Sequence, residues 1–230
     1  MNGQRVVVAG GTGNVGTFIV QALLERGATV VVPSRSQQSI ATLRAYLAPR
    51  VDNLSWKRLQ TVYGDVAGPS DIPGLGDPDA VVASLGTFIP AASLLSAAGA
   101  DLDKVLNDYV RAHFEVARRF LPGLIETRGT YIFINGPLAF ETRPEWGAGL
   151  VSIATAAQHM LFRALAQELG PTGVRIAEVV NYAFIRERRT QPGSAVTAEA
   201  AGAFVADLIA HSEHDIHGQT IHADAAGALV

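Results

Sequence analysis

The sequence predicts one α/β domain, built as a Rossmann-like, doubly wound parallel sheet with helices on both faces. An apolar run over Val6–Val8 stops at a glycine-rich turn, and a helical pattern follows at once. Further short apolar runs alternate with helical patterns along the rest of the chain. With 230 residues, of which 48% are hydrophobic and 17% charged, the chain is long enough to bury a large core. Strands joined by helices predict parallel pairing with right-handed crossovers.

The elements follow one another in a regular order. The first strand starts at Val6, and its helix ends at Arg26-Gly27, a typical helix C-terminal signal. The remaining predicted strands cover 28–32, 59–63, 80–84, 130–134, 174–180 and 220–222, and the remaining helices cover 39–47, 102–125, 150–169 and 198–210. Asp101 is expected to cap the helix over 102–125, and 67–78 reads as a loop. We find no repeat and no linker, so residues 1–230 are expected to form one dinucleotide-binding domain.

The glycine-rich turn is the first candidate site. Gly10, Gly13 and Gly16 recur every three residues between a strand and a helix. Such a turn lets the backbone approach a pyrophosphate, and the helix start favours negative charge. The alternative is a glycine-rich loop without a ligand. The predicted cofactor-binding residues here are Gly10, Thr12, Gly13, Asn14, Val15 and Gly16.

The end of the second strand favours NADP(H) over NAD. A NAD site usually has an acidic residue there to accept from the ribose 2′-hydroxyl, but none stands between Glu25 and Asp52. Ser34 and Arg35 stand there instead, and a guanidinium suits a 2′-phosphate. The alternative is that Arg35 is an ordinary solvated side chain.

Composition narrows the class of protein. The net charge of −3 argues against nucleic acid or an anionic membrane as a partner, and the chain has no cysteine for thiolate chemistry. No apolar run reaches the ~18 residues of a membrane span. A core strand starting at Val6 leaves no room for a signal peptide. We therefore expect a cytoplasmic protein that binds a small molecule.

Five segments resemble the short-chain dehydrogenase/reductase family. They are Ala9–Gly16, Gly64-Asp65-Val66, Ser84-Leu85-Gly86, the stretch Arg163–Leu169 with Gly173–Ile176, and Gly218–Asp224. The resemblance implies that Asp65 and Val66 line the adenine pocket and that Ser84 and Gly86 lie near the cofactor. It also implies a homodimer or homotetramer assembled through the two long helices. One departure is Asn14, where classical members have glycine.

The catalytic positions depart further from the family. Its usual mechanism needs a Tyr as general acid, a Lys four residues later, a Ser upstream and an Asn on the preceding long helix. None of the five Tyr in this chain is followed four residues later by Lys. The aligned positions hold Val151 for Tyr, Thr155 for Lys, Gly136 for Ser and Tyr109 for Asn, and Asn181-Tyr182 replaces the Pro-Gly that follows the late strand.

Two tyrosines are candidate substitutes for the missing proton donor, and a third residue can contact the substrate. Tyr182 is the first choice, because it follows a strand that ends beside the nicotinamide in relatives, with Arg186 nearby; the alternative is a Tyr that packs one pocket wall. Tyr109 and His113 lie four apart on one helix face, so His113 can polarise the Tyr109 hydroxyl. The alternative makes His113 a surface or interface residue. Asn135, at a strand end, can hydrogen-bond a substrate.

The remaining features concern metal and substrate. His211, His214, His217 and His222 lie close in sequence with acidic residues, but two fall at a helix end, where cations are favoured anyway, so we expect no metal site. Apolar residues that can line a pocket indicate a small hydrophobic carbonyl or alcohol substrate. They are Leu85, Phe88, Ile89, Leu138, Phe140, Trp146, Tyr182 and Phe184. The alternatives to a reductase are a non-redox enzyme on the same scaffold and an inactive NADP(H)-binding protein or partner subunit.

Overall fold

The computed structural model describes Met1 and residues 3–223, and it confirms the doubly wound α/β class. Seven parallel strands form one sheet in the order β3-β2-β1-β4-β5-β6-β9, and a separate antiparallel hairpin pairs β7 with β8. The strands are β1 (Arg5–Ala9), β2 (Thr29–Ser34), β3 (Leu59–Tyr63), β4 (Ala80–Ala83), β5 (Thr130–Asn135), β6 (Arg175–Asn181), β7 (Ile185–Arg186), β8 (Arg189–Thr190) and β9 (Thr220–Ala223). The final residue of the family-like ending, Asp224, lies outside the described residues.

Helices cover both faces of the sheet. They are α1 (Asn14–Glu25), α2 (Gln37–Leu47), α3 (Asn53–Trp56), α4 (Gly99–Leu106), α5 (Ala112–Thr127), α6 (Gly149–Leu169) and α7 (Ala198–Ala210). Residues of α1, α2 and α7 form one hydrophobic cluster with the sheet, and residues of α5 and α6 form another on the opposite face. Each central strand is therefore buried on both sides, which explains why the strands are continuous apolar runs in the sequence.

Side-chain alternation in β1 divides the two clusters. Val6 and Val8 belong to the cluster with α1 and α7, whereas Val7 and Ala9 belong to the cluster with α5 and α6. This is the two-residue period of a strand, whose successive side chains point to opposite faces. All four are fully buried.

The long helix predicted over 102–125 is divided into three pieces. It begins at Gly99 as α4, passes through a π-helical turn over Asn107–Arg111 and continues as α5. Asp101 lies inside the first turn of α4 and does not cap it, since the N-cap residue is Ala98 and makes no side-chain capping bond. A π turn inserts one extra residue into a helix and often occurs at functional sites.

Two short elements have no signal in the hydrophobic pattern. α3 is a single turn capped by Asp52, whose carboxylate accepts from the Ser55 N–H at 2.7 Å. The β7–β8 hairpin has strands of only two residues each, too short for a periodicity to be read. Among the described residues, none of the helices has the length and apolar content needed to cross a membrane.

Candidate functional site

The candidate site lies where the strand order reverses. β2, the next strand in the chain, pairs with one side of β1, and β4 pairs with the other side. In open α/β sheets, ligands bind at such a switch point, outside the carboxyl ends of the strands. The glycine turn follows β1 at this edge, and Ser84 follows β4.

The main chains at this point are too close for side chains. A Cβ on Gly10, which has a φ of +79°, would lie 2.0 Å from the Ser84 carbonyl oxygen. A Cβ on Gly16 would lie 2.2 Å from the Gly10 carbonyl oxygen. The turn is therefore as tight as a backbone allows, and the start of α1 opens directly onto the crevice between β1 and β4.

A first cavity of about 440 Å³ extends from the glycine turn toward the end of β2. Arg35 and Asp65 face each other across it with 3.8 Å between Nη1 and Oδ2, and the Arg35 side chain is 74% exposed. Ser34 is nearly buried, and Ser36 caps α2 by accepting from the Ser39 N–H at 3.1 Å. Nine of the predicted cofactor residues line this cavity: Gly10, Thr12, Gly13, Ser34, Arg35, Asp65, Val66, Ser84 and Gly86.

A second cavity of about 490 Å³ lies on the other side of the turn. Asn14 and Val15 line it, whereas Gly16 lines neither cavity and packs against Gly10. Arg186 is the only charged residue among the described residues that line it. Five predicted pocket residues form its walls, namely Leu85, Phe88, Leu138, Trp146 and Phe184, while Ile89, Phe140 and Tyr182 do not line it.

The two cavities form one cleft, because Gly13, Ser84, Leu85 and Gly86 line both. Each has a volume typical of a ligand pocket. A glycine turn without side chains, a helix start and a cavity on each side fit an elongated dinucleotide, with its pyrophosphate at the turn. The residues present therefore fit such a cofactor.

Residues that sequence counting assigns to the family's catalytic positions line the second cavity. Gly136, Val151 and Thr155 lie in its wall, and Tyr109 and Asn181 join them from α4–α5 and β6. The fold therefore brings together five positions that are distant along the chain.

Tyr109 lies in the π turn and covers Gly86, where an added Cβ would come within 2.3 Å of the Tyr109 ring. Burial, with a smaller contribution from Asp108, raises the pKa of Tyr109 to about 12. The phenol therefore stays protonated over the neutral range.

Both predictions for His113 are wrong. The side chain is fully buried, so it is neither a surface nor an interface residue. Its Nδ1 lies 2.6 Å from the Tyr109 carbonyl oxygen and its Nε2 lies 3.3 Å from the Ala83 carbonyl oxygen, so it binds the Tyr109 backbone and not its hydroxyl. Burial lowers the pKa of His113 to about 4, although both carbonyl contacts oppose the shift.

Tyr182 follows β6 and contacts the edge strand β9. Its hydroxyl shares a hydrogen bond of 2.9 Å with Nδ1 of His222 in β9. Phe140 packs near the same imidazole, with ring centroids 5.7 Å apart. The residue that follows β6 thus turns toward β9, whereas Asn181 turns toward the second cavity.

Asn135 is held by a buried carboxylate. Its amide nitrogen donates to the Thr155 carbonyl at 3.1 Å and to Glu178 Oε1 at 2.8 Å, while its Oδ1 accepts from the Gly136 N–H at 2.9 Å. Glu178 is fully buried in β6. Its Oε2 accepts from His159 Nδ1 at 2.6 Å and from the Thr220 hydroxyl at 3.2 Å. These bonds fix the wall of the second cavity beside Thr155.

Sequence reasoning missed two residues near the cleft, Glu178 and Arg188. A signal for Glu178 existed, because it is an acidic residue with apolar residues on both sides in its strand, and buried charges are almost always paired. Arg188 lies at the tip of the β7–β8 hairpin, and its Nη2 donates to the Thr12 carbonyl at 2.7 Å. Nothing in the sequence places that hairpin at the glycine turn.

The C-terminal histidines make separate contacts. His217 lies 2.7 Å from the Val174 carbonyl and 2.9 Å from the Ala166 carbonyl through its two ring nitrogens, and His211 lies 3.0 Å from the Asp207 carbonyl. Within residues 1 and 3–223, no three His, Asp or Glu side chains are grouped as metal ligands.

Comparison with known proteins identifies the family. The profile of the family described as short chain dehydrogenase matches residues 4–187, so the chain belongs to the short-chain dehydrogenase/reductase family. Members of this family are oxidoreductases that bind NAD(P) cofactors and act on small molecules.

Individual relatives are distant. The human protein "Dehydrogenase/reductase SDR family member 2, mitochondrial" is 28% identical over 179 residues, which are 76% of this chain and 62% of that protein. D-xylose 1-dehydrogenase from Caulobacter vibrioides is 25% identical over 193 residues, 78% of this chain and 71% of that enzyme.

Solved structures share the fold along nearly the whole chain. The RhlG/NADP active-site complex from Pseudomonas aeruginosa superposes with a TM-score of 0.81 at 22% identity, covering 98% of this chain and 96% of that one. L-sorbose reductase from Gluconobacter frateurii, complexed with NADPH and L-sorbose, gives a TM-score of 0.79 at 18% identity with the same two coverages.

Burial of His113 predicts a loss of stability in acid. Its folded pKa of about 4 lies below the ~6.5 of an unfolded histidine, so the unfolded chain binds a proton that the folded chain does not. The contribution is present above pH ~6.5 and is lost as the pH falls toward 4. Urea titrations give the free energies of unfolding of the wild type and of His113→Gln. The wild-type value minus the variant value should decrease as the pH is lowered from ~6.5 to about 4. A difference that stays constant with pH would contradict the prediction.

Proposed function

We propose that the protein is an NADP(H)-dependent oxidoreductase acting on a small hydrophobic carbonyl or alcohol. The observation that carries the proposal is the glycine turn between two joined cavities, one polar around Ser34 and Arg35 and one walled by aromatic side chains. We also infer that residues 1–230 act as one domain, because both halves of the chain line the cleft.

On the first side of the cleft, this chain's residues would hold the adenosine half of the cofactor. The turn Gly10–Gly16 would face the pyrophosphate, and Asp65 and Val66 would flank the adenine. Ser34 and Arg35 would face a 2′-phosphate, since β2 ends without an acidic residue. The exposure of the Arg35 guanidinium, which is only loosely paired with Asp65, supports its availability for an anion.

On the second side, the chain's own residues would orient the substrate. The bound nicotinamide supplies or accepts a hydride. Sequence counting puts Val151 and Thr155 at the positions where the family has Tyr and Lys, and a different donor would then contact the substrate oxygen. Tyr109 is our choice, because it lines the second cavity and its ring covers Gly86.

The other two candidate catalytic residues, Tyr182 and Asn135, have less support. Tyr182 does not line the cavity, and its hydroxyl contacts His222. Asn135 lines the cavity, but its amide donates to Thr155 and Glu178 and its carbonyl accepts from Gly136. We assign Asn135 to positioning the cavity wall.

Assembly through α5 and α6 is the last part of the proposal. Phe114 on α5 is 42% exposed, and Ile153 and Met160 on α6 are 43% and 62% exposed. Large apolar side chains exposed on the two long helices support a homodimer or homotetramer in which a second copy covers them.

Replacement of Arg35 tests the cofactor. Arg35→Ala should weaken NADPH binding by ~1–3 kcal/mol, the cost of losing a hydrogen bond to a charged group, and should leave NADH binding almost unchanged. Titration calorimetry measures both affinities. Arg50→Ala, which removes an exposed arginine that does not line the cleft, is the matched control. Equal affinity of the wild type for NADPH and NADH would refute the preference.

Replacement of Tyr109 tests the proton donor. Tyr109→Phe keeps the ring over Gly86 and removes only the hydroxyl, so kcat on an aromatic or aliphatic ketone should fall by ~10²-fold, at the low end of general acid catalysis. Tyr182→Phe should change kcat little. NADPH oxidation with a panel of hydrophobic carbonyls provides the assay. Full activity of Tyr109→Phe would exclude this donor, and NADPH binding without turnover on any panel member would favour the non-redox and binding-protein alternatives.

A charge on α6 tests the assembly. Met160→Arg should dissociate the oligomer, because an unpaired charge in an apolar interface is costly. Leu54→Arg on α3 is a matched control, since Leu54 is exposed to the same 62%. Light scattering at micromolar concentration measures the mass. A wild type that is already monomeric there would overturn the proposal.

A further inference from the structure

The β7–β8 hairpin turns through two residues with unfavourable backbone angles. Glu187 and Arg188 have φ of +50° and +56°, and they are the two residues between Arg186 and Arg189. A two-residue hairpin with both central φ positive is strongly biased toward Asn and Gly, because a Cβ disfavours this region. Neither residue here is Asn or Gly. Strained non-glycine residues of this kind cluster at functional sites.

This tip contacts the glycine turn at three points. The Arg188 N–H donates to Asn14 Oδ1 at 3.3 Å, its Nη2 donates to the Thr12 carbonyl at 2.7 Å, and its Nε donates to the Thr17 hydroxyl at 3.2 Å. Thr17 is fully buried and its hydroxyl donates in turn to the Gly13 carbonyl at 2.7 Å. The strained residue is therefore the one that joins the hairpin to the turn.

The positive charge of Arg188 also lies at an electrostatically unfavourable place, near the positive end of the α1 helix dipole. A cation is disfavoured at a helix N-terminus, where the macrodipole is positive, and the first turn of α1 has no acidic side chain. Arg186 and Glu187 in the same hairpin form an ion pair of 3.9 Å. None of the ion pairs among the described residues includes Arg188. Of the five N–H donors of a guanidinium, two are used in the contacts described above.

We propose that Arg188, which lines neither cavity but is hydrogen-bonded to the glycine turn, contributes positive charge to a pyrophosphate held by that turn. An anion at this place would offset the unfavourable position of the cation, and a guanidinium with donors left over is suited to a phosphate. The β7–β8 hairpin that carries Arg188 also places Arg186 in the lining of the second cavity. One short segment therefore contacts both the glycine turn and the second cavity. The inference rests on the proposed dinucleotide site.

The test compares three variants of the same hairpin. Arg188→Gly removes the cation and tolerates the positive φ, Glu187→Gly relieves the same kind of strain without removing the cation, and Arg189→Ala removes the adjacent exposed arginine. Titration calorimetry should give a Kd for NADPH at least ten-fold weaker in Arg188→Gly and near the wild-type value in the other two. Adenosine 2′-monophosphate, which has no pyrophosphate, should bind wild type and Arg188→Gly alike.

Salt dependence separates charge from bracing. The Kd of the wild type should weaken more steeply with NaCl than that of Arg188→Gly, because one charge–charge attraction is screened, and Arg188→Lys should keep most of the steeper slope. Equal slopes in all three proteins, or an equal loss of adenosine 2′-monophosphate and NADPH affinity, would mean that Arg188 only braces the turn and would overturn the inference. A wild type that binds neither NADPH nor NADH would instead remove the proposed function itself.

Discussion

The close passage of three main-chain segments at the carboxyl ends of β1 and β4 is the constraint on which the rest of the site depends. Gly10 lies against Ser84 and Gly16 lies against Gly10, at distances that leave no volume for a Cβ on either glycine. Because the turn is that tight, α1 starts within the crevice, and Asn14 and Val15 of its first turn line the second cavity. The same segments supply Gly13 and Ser84 to both cavities. A looser turn would separate them.

A second constraint comes from β6 and fixes the wall of the second cavity. Glu178 is buried in the middle of β6 and accepts hydrogen bonds from Asn135, His159 and Thr220. A buried carboxylate without partners is very costly, so these side chains are held in place by its need for donors. Asn135 passes the restraint on to the Thr155 carbonyl. The wall of the second cavity is thus fixed by a polar network in a sheet that is otherwise apolar.

Local signals predicted the sheet and the glycine turn, because both depend on residues close in sequence. Continuous apolar strands, the turn and the helix stop at Arg26-Gly27 all carry their information within a few positions. The site residues that sequence reasoning misplaced depend on distant contacts. His113 faces the Ala83 carbonyl because of the π turn that begins at Asn107, and no pattern marks an inserted residue in a helix. Tyr182 turns toward β9 because His222 stands there, 40 positions later.

The strand order has a consequence for how the protein is made and how it can diverge. β4, β5, β6 and β9 lie side by side across the sheet in the same order as they occur in the chain. All residues that line the first cavity precede position 116, whereas the second draws on residues as far as Gln191. The lining of the first cavity is therefore translated completely before most of the lining of the second. Insertions or replacements after β5 are free to alter what enters the second cavity without rewriting the first.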